Sequence, residues 1–246
     1  MRVIVMAGGF AKRLEHLGVN TAKPLIKIYD KPIIDYAMEK IMTLNPREII
    51  VTVNKKFEKD FREWLESRNY ANTRLHVENS IREEEKPGAI LSLAMLLDNI
   101  VEDEYLIVAG DNLFSLSLED FVLFYRNKKG STIALYDVGD EELVKMYSCV
   151  KISDDQKIVE FIEKPSKPIS TLISTAIYMF PWRSFIRIKE YLDKGGNRDA
   201  PGHFISWLSK NENVYGYVFE GYWFDIGTPK TYEEACRFIE SLRKKL

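Results

Sequence analysis

The sequence predicts an α/β protein built on a doubly wound, mostly parallel sheet. Strand-like and helix-like segments alternate from Arg2 to Asp111, the order that such a sheet requires. Several of the strand-like runs, "EIIVTVN" (Glu48–Asn54) among them, are apolar without interruption, as strands buried on both faces are. Glycines and acids collect at the carboxyl ends of these runs, where open α/β sheets bind ligands.

Taken in order, Arg2–Ala7 reads as the first strand. Pro32–Met42 is a helix, with Ile33, Ile34, Ala37, Met38 and Ile41 at helical spacing. Glu48–Asn54 is a strand, and Phe57–Leu65 a helix that gathers Phe57, Phe61, Trp64 and Leu65 on one face. A short strand over Leu75–Asn79, a helix over Ala89–Leu97 and a strand over Glu104–Asp111 complete a β-α-β-α-β-α-β series. The later part is less regular. Thr132–Val138, Val150–Ile152, Val159–Glu163 and Leu172–Phe180 read as strands, with turns at Asp154-Asp155 and Pro165–Pro168. Helices are expected over Ser184–Leu192 and His203–Ser209, a strand over Val214–Gly221, and a closing helix over Lys230–Leu242. No linker, repeat or low-complexity tract interrupts the series, so residues 1–246 are expected to form one domain without a C-terminal β-helix.

Composition narrows the functions. With 46% hydrophobic and 29% charged residues the chain can bury a core under an ordinary soluble surface. A net charge of -2 leaves no footprint for nucleic acid or an anionic membrane. No apolar run approaches the ~20 residues of a membrane span, and the chain passes from Met1-Arg2 directly into a strand, so no signal peptide is expected. Cys149 and Cys236 are isolated and read as free thiols of a cytoplasmic protein. A single glutamine, Gln156, among abundant Lys, Glu and Ile suggests heat adaptation.

Four clusters fall at or near predicted strand ends. In "MAGGFAKRL" (Met6–Leu14), Gly8-Gly9 followed by Lys12 and Arg13 suits an anionic ligand, although the stretch matches neither G-x-x-x-x-G-K-[ST] nor G-x-G-x-x-G. Gly110-Asp111 ends one strand and Glu163-Lys164-Pro165 another, while "GYWFDIGTP" (Gly221–Pro229) carries Asp225. Lys23-Pro24 adds a second lysine. Each cluster alone has a plainer reading as a turn, a hinge or a loop kink; their convergence on one rim is the signal. Two carboxylates without a nearby His or Cys suit a hard, oxygen-preferring ion such as Mg²⁺. Lysines, an arginine and a glycine turn hold phosphates. No Ser/His/Asp or Cys/His set is present, and His16, His76 and His203 read as surface or packing residues. The set therefore suits phosphoryl or nucleotidyl transfer, in which positioning and charge neutralisation supply most of the catalysis.

"MAGGFAKRL…AKPLIKIYDKPIIDY", "AGDNLF", "FIEKP", "AIYMF" and "GYWFDIGTPKTYEEA" occur in that order. Together they resemble the sugar-1-phosphate nucleotidylyltransferases, the glucose-1-phosphate uridylyl/thymidylyl- and mannose-1-phosphate guanylyltransferase group. The resemblance implies a single Rossmann-like α/β/α domain with a mostly parallel mixed central sheet. It implicates Ala7, Gly8, Gly9 and Arg13 in wrapping a nucleoside triphosphate, Lys23 in meeting its phosphates and Gly88 in lying against the base. Asp111 and Asp225 would hold Mg²⁺, Glu163 and Ser174 would meet the sugar, and Lys164 its phosphate. Three departures stand out. Ala11 and Lys12 replace the usual second glycine and threonine of the loop, Ala22 replaces a proline, and Ser174-Thr175-Ala176 replaces Asn-Ala-Gly.

The expected reaction is in-line attack of a hexose-1-phosphate on the α-phosphorus of an NTP, giving an NDP-sugar and pyrophosphate. UTP or dTTP with glucose-1-phosphate is the favoured pair, and GTP with mannose-1-phosphate the alternative. Arg13 and Lys23 would steady the departing pyrophosphate and Lys164 the attacking phosphate. A related glycosyltransferase is disfavoured because Asp111-Asn112 lacks a D-x-D pair. A non-catalytic nucleotide-sugar sensor would be free to lose clamp residues that are all present here. Family members often form dimers or tetramers, which leaves a homo-oligomer open.

Overall fold

The computed structural model describes residues 1–11 and 21–244. Seven strands form one mixed sheet: β1 (Arg2–Met6), β2 (Ile49–Asn54), β3 (Thr73–Glu78), β4 (Tyr105–Ala109), β5 (Ser131–Asp137), β6 (Leu172–Phe180) and β7 (Val214–Phe219). Their order is β7-β5-β6-β4-β1-β2-β3. β1, β2 and β3 pair in parallel, as do β5 and β7, while β5 and β6 are antiparallel. This is the α/β architecture expected from the alternating pattern.

The chain divides into two compact units, each assembled from separate stretches. One comprises Met1–Arg2, Lys86–Ile107 and Leu116–Glu220; the other comprises Val3–Glu85, Val108–Ser115 and Gly221–Leu246.

In the second unit, β1 and β2 are apolar and buried because helices cover them, with Val3, Ile4, Val5, Ile49, Ile50 and Val51 fully enclosed. The helix Ile33–Thr43 buries Ile33, Ile34, Ala37, Met38 and Ile41, the predicted stripe. The helix Glu58–Glu66 buries Phe61 and Trp64 after a 3₁₀ turn at Lys55–Phe57. Buried Asp35 cross-links the two helices, accepting hydrogen bonds from Trp64 Nε1 (2.8 Å), Arg68 Nη2 (2.8 Å) and Tyr70 OH (3.0 Å). The closing helix Pro229–Arg243 packs Ala235 and Ile239 onto Ala11, Ile26, Ile28, Ile33, Leu113 and Ile226. That packing gives the departure at Ala11 a local reason, since its methyl lies in an apolar cluster.

In the first unit, Tyr105, Phe180, Phe185 and Phe204 are buried together, with the Tyr105 and Phe185 ring centroids 5.1 Å apart. The helix Leu118–Lys128, additional to those expected from the sequence, follows an N-cap in which Ser117 accepts from Asp120 N. It buries Leu118, Phe121, Val122 and Tyr125, an i, i+3, i+4, i+7 stripe. The expected helix at Ser184–Leu192 is two shorter ones, Trp182–Phe185 and Arg187–Asp193. Cys149 is buried and Cys236 half-buried, both as free thiols. Among the described residues no helix is long and apolar enough to cross a membrane.

Candidate active site

In the second unit, three of the expected residues meet. β1 ends at Met6, and Ala7 N continues its ladder to Thr52 O (2.9 Å). The chain then turns through Gly8 and Gly9. Asn54, at the end of β2 and fully buried, donates from Nδ2 to Gly8 O (2.5 Å) and so ties the turn down. Gly9 O accepts from Lys23 N (3.1 Å), and Phe10 bridges to Ala22, so the glycine turn and the lysine segment are fastened by backbone. Lys23–Leu25 forms a 3₁₀ turn with Pro24 near its start, closed by Ile26 N donating to Lys23 O.

Asp111 stands just beyond β4. Gly110 N donates to Met6 O (2.9 Å), and a Cβ at Gly110 would come within 3.1 Å of that oxygen, so glycine lets the two strand ends approach. Asp225 arrives by a different route. A short antiparallel ladder pairs Asn112–Phe114 with Trp223–Asp225 and sets Asp225 opposite Asn112. Thr228 then caps the helix Pro229–Arg243, forming a reciprocal box with Thr231, with Pro229 in the first turn. The "DIGTPKT" stretch is thus a strand end, a turn and a helix start in quick succession.

Lys23 Nζ lies between the two acids, 2.7 Å from Asp111 Oδ2 and 3.2 Å from Asp225 Oδ1. Burial alone would lower the lysine's pKa, but the two carboxylates outweigh it and hold the ammonium above its ordinary value. The acids are 25% and 35% exposed, so their oxygens remain within reach of a ligand. Among the described residues no group of three or more His, Cys, Asp or Glu gathers as a metal cage. Two part-exposed carboxylates nevertheless fit Mg²⁺, which commonly takes one or two protein carboxylates and completes its shell with phosphates and water.

The first unit holds a second cluster. Glu163 ends the strand Ile158–Glu163, opposite Ser148 on its antiparallel partner Ser148–Ile152. Lys164 follows with φ of +46°, a left-handed backbone unusual for lysine, held by Lys164 N donating to Tyr147 O (2.8 Å). A Cβ at Gly202, in the first turn of the helix Pro201–Ser209, would overlap a Glu163 carboxylate oxygen, so glycine makes room for the acid. Ser206 Oγ fastens the same helix to Phe161 O (2.8 Å). Burial raises the Glu163 pKa, against the opposing pull of His203 and Lys164.

Ser174 N donates to Ser148 Oγ (3.1 Å), whereas the buried Ser174 Oγ makes no well-formed hydrogen bond among the described residues. Its polar neighbour is the phenol of Tyr178, whose pKa burial pushes up. Thr175 Oγ1 donates to Ala134 O, and Ala176 takes φ of +57° where the pairing of β6 with β5 shifts register. The desolvated Glu163 carboxylate suits a ligand that can donate hydroxyl hydrogen bonds to it.

Gly88 caps the helix Ala89–Leu96 with φ of +94°. A Cβ there would lie 2.6 Å from Arg198 O, the same oxygen that accepts from Ile90 N and Leu91 N. Packing against Arg198 and Asp199 by itself calls for glycine at this position. Arg13 and Lys12 lie outside the described residues. Sequence reasoning missed Asn54, Ser148, Tyr178, Gly202 and the proximity of His203 to Glu163. Asn54 had a usable signal, since it ends a strand adjacent to the one that carries the glycine turn.

Comparison with known proteins identifies the family. The family model for nucleotidyl transferases matches residues 2–241. The chain is 28% identical over 240 residues to the bifunctional protein GlmU of Methanocaldococcus jannaschii, covering 97% of this chain and 54% of that one. It is 28% identical over 249 residues to the catalytic subunit beta of mannose-1-phosphate guanylyltransferase from Drosophila pseudoobscura pseudoobscura, covering 99% of this chain and 64% of that one. A glucose-1-phosphate adenylyltransferase of Clostridium acetobutylicum is 32% identical over 152 residues, 60% of this chain and 40% of that one. The chain thus spans roughly half the length of the curated relatives it matches. A Bacillus anthracis crystal structure, provisionally assigned as a glucose-1-phosphate thymidylyltransferase in complex with sucrose, superposes with a TM-score of 0.85 at 24% identity. It covers 97% of this chain and 94% of its own, and shows the shared fold. The chain belongs to the nucleotidyl transferase family.

Proposed function

We propose that the protein transfers a nucleotidyl group from an NTP to a hexose-1-phosphate, forming an NDP-sugar and pyrophosphate. UTP or dTTP and glucose-1-phosphate are the favoured substrates. The observation that carries this reading is the Lys23 ammonium set between the Asp111 and Asp225 carboxylates, beside a glycine turn anchored to the lysine's own backbone. Names among the relatives support the class of reaction, and since they cover guanylyl and adenylyl transfer they widen the choice of base.

In this reaction the glycine turn gives the triphosphate a close backbone approach, and Lys23 meets its phosphates. Asp111 and Asp225 would hold Mg²⁺, which when bound offsets negative charge around the transferred phosphate. Lys164 holds the sugar phosphate, one oxygen of which attacks the α-phosphorus. That oxygen is already ionised at neutral pH, so no general base is needed. Glu163, Ser174 and their hydroxyl neighbours bind the sugar ring.

The test is pyrophosphate release with Mg²⁺, across UTP, dTTP, GTP, CTP and ATP, each paired with glucose-1-phosphate or mannose-1-phosphate. Release in one or two pairings supports the reading and names the substrates. A folded sample that is silent throughout, yet binds an NTP by calorimetry, favours the sensor instead. The GTP and mannose-1-phosphate pair is the second reading, favoured by the Drosophila relative.

A further inference from the structure

The Lys23 side chain is held in a fixed place. It is 14% exposed, and its backbone N–H is bonded to Gly9 O. The Cβ position of Gly9 lies 3.5 Å from Lys23 Cβ and 3.6 Å from its Cδ, and that of Gly227 lies 3.7 Å from Nζ. Gly9 therefore lies along the lysine's stem and Gly227 beside its ammonium, while Nζ donates to both Asp111 and Asp225.

An Mg²⁺ ion shared by the same acids would stand about 2.0–2.1 Å from an oxygen of each. Nζ now contacts both acids, 2.7 Å from Asp111 Oδ2 and 3.2 Å from Asp225 Oδ1. Nζ takes one oxygen of each carboxylate, and an ammonium this close to a divalent ion would repel it strongly, so the two cations compete for the pair of acids. Two carboxylates are also too few to complete the shell of a hard cation, so the remaining oxygens have to come from phosphate and water.

We propose that Lys23 closes the metal site of the nucleotide-free protein, so that metal binding is conditional on nucleotide. The incoming phosphates draw Nζ away from the acids, free the two carboxylates and supply the missing oxygen ligands. Nucleotide and metal then bind with positive coupling, which is reciprocal by necessity. The inference rests on reading Asp111 and Asp225 as the metal ligands, but makes a claim about the protein before any nucleotide arrives.

The experiment uses Mn²⁺ alone, followed by electron paramagnetic resonance, on the nucleotide-free protein, with folding checked by circular dichroism. Wild type should bind Mn²⁺ weakly, and Lys23→Met should bind one ion about tenfold tighter or more. The double variant Lys23→Met/Asp225→Asn should lose that gain. Lys27→Met, which removes an exposed lysine close by in sequence, should match wild type. Lys23→Gln, which keeps a hydrogen-bonding group without the charge, carries the same test where the methionine variant does not fold. If wild type binds Mn²⁺ as tightly as Lys23→Met, and Asp225→Asn abolishes the binding in both, the gate is overturned while the metal-ligand reading stands. If folded Lys23→Met and wild type both fail to bind, the gate is again overturned, and the pyrophosphate assay decides the reaction separately.

Discussion

Asp35 offers a prediction whose size can be worked from the structure. Its carboxylate is 2% exposed and accepts from the Trp64 indole, the Tyr70 hydroxyl and the Arg68 guanidinium. Replacement by alanine leaves the Trp64 N–H buried without an acceptor, since Trp64 is only 6% exposed; a stranded donor of this kind costs about 1–3 kcal/mol. Arg68 is 37% exposed and regains water, so its share is small, and the loss of the Tyr70 bond adds about 1 kcal/mol. Asp35→Ala should therefore cost about 3 kcal/mol in all. For a chain of this size that lowers Tm by about 6–12 °C. Asp35→Asn keeps an acceptor for the indole and should lose about half as much. Thermal and urea unfolding followed by circular dichroism measure both. The helix that carries Asp35 starts where Ile33 N bonds Ile26 O, next to the Lys23 turn, so the variant should also show weaker nucleotide binding as it approaches its Tm. A loss of less than about 1 kcal/mol for Asp35→Ala would refute the reasoning, because the indole donor must then have found another acceptor.

Three further outcomes follow. Lys164→Ala should leave the melting curve unchanged and reduce turnover by roughly 10²–10³ in the pyrophosphate assay; turnover near that of wild type would remove Lys164 from the site. Because burial raises the Glu163 pKa, the folded state favours the protonated acid, and ionisation costs stability as pH rises through the folded pKa. Glu163→Gln should therefore raise Tm at pH 7 while the difference vanishes well below the carboxylate's ordinary pKa, and a Tm gain that persists unchanged in acid would contradict this. Ala176→Gly removes a Cβ from a backbone at φ of +57° and should stabilise by up to about 1 kcal/mol, which a urea titration can resolve. A loss instead would mean that the methyl's packing outweighs the strain.

Local chemistry was enough to read most elements from the sequence. Continuous apolar runs marked β1, β2 and β4, and helical spacing marked Ile33–Thr43 to within a residue. Gly110-Asp111, Glu163-Lys164 and Asp225 were visible because they converge with the glycine turn and Lys23 at predicted strand ends, although each alone reads as a turn or a hinge. The helix Leu118–Lys128 was missed although Ser117 and its apolar stripe announce it. The break between Trp182–Phe185 and Arg187–Asp193 has no proline or glycine to signal it.

By itself the sequence determined the alternation of elements, the residue types available for phosphate and metal, and the order of motifs that marks the family. These depend on near neighbours and on chemistry that a side chain carries wherever it sits. Only the tertiary structure decided that Lys23 would lie between Asp111 and Asp225, that Asn54 would hold Gly8, and that Gly202 would yield space to Glu163. Those juxtapositions join residues far apart in the chain. They depend on strand pairing and on where a missing Cβ lets two segments approach, which no local pattern encodes.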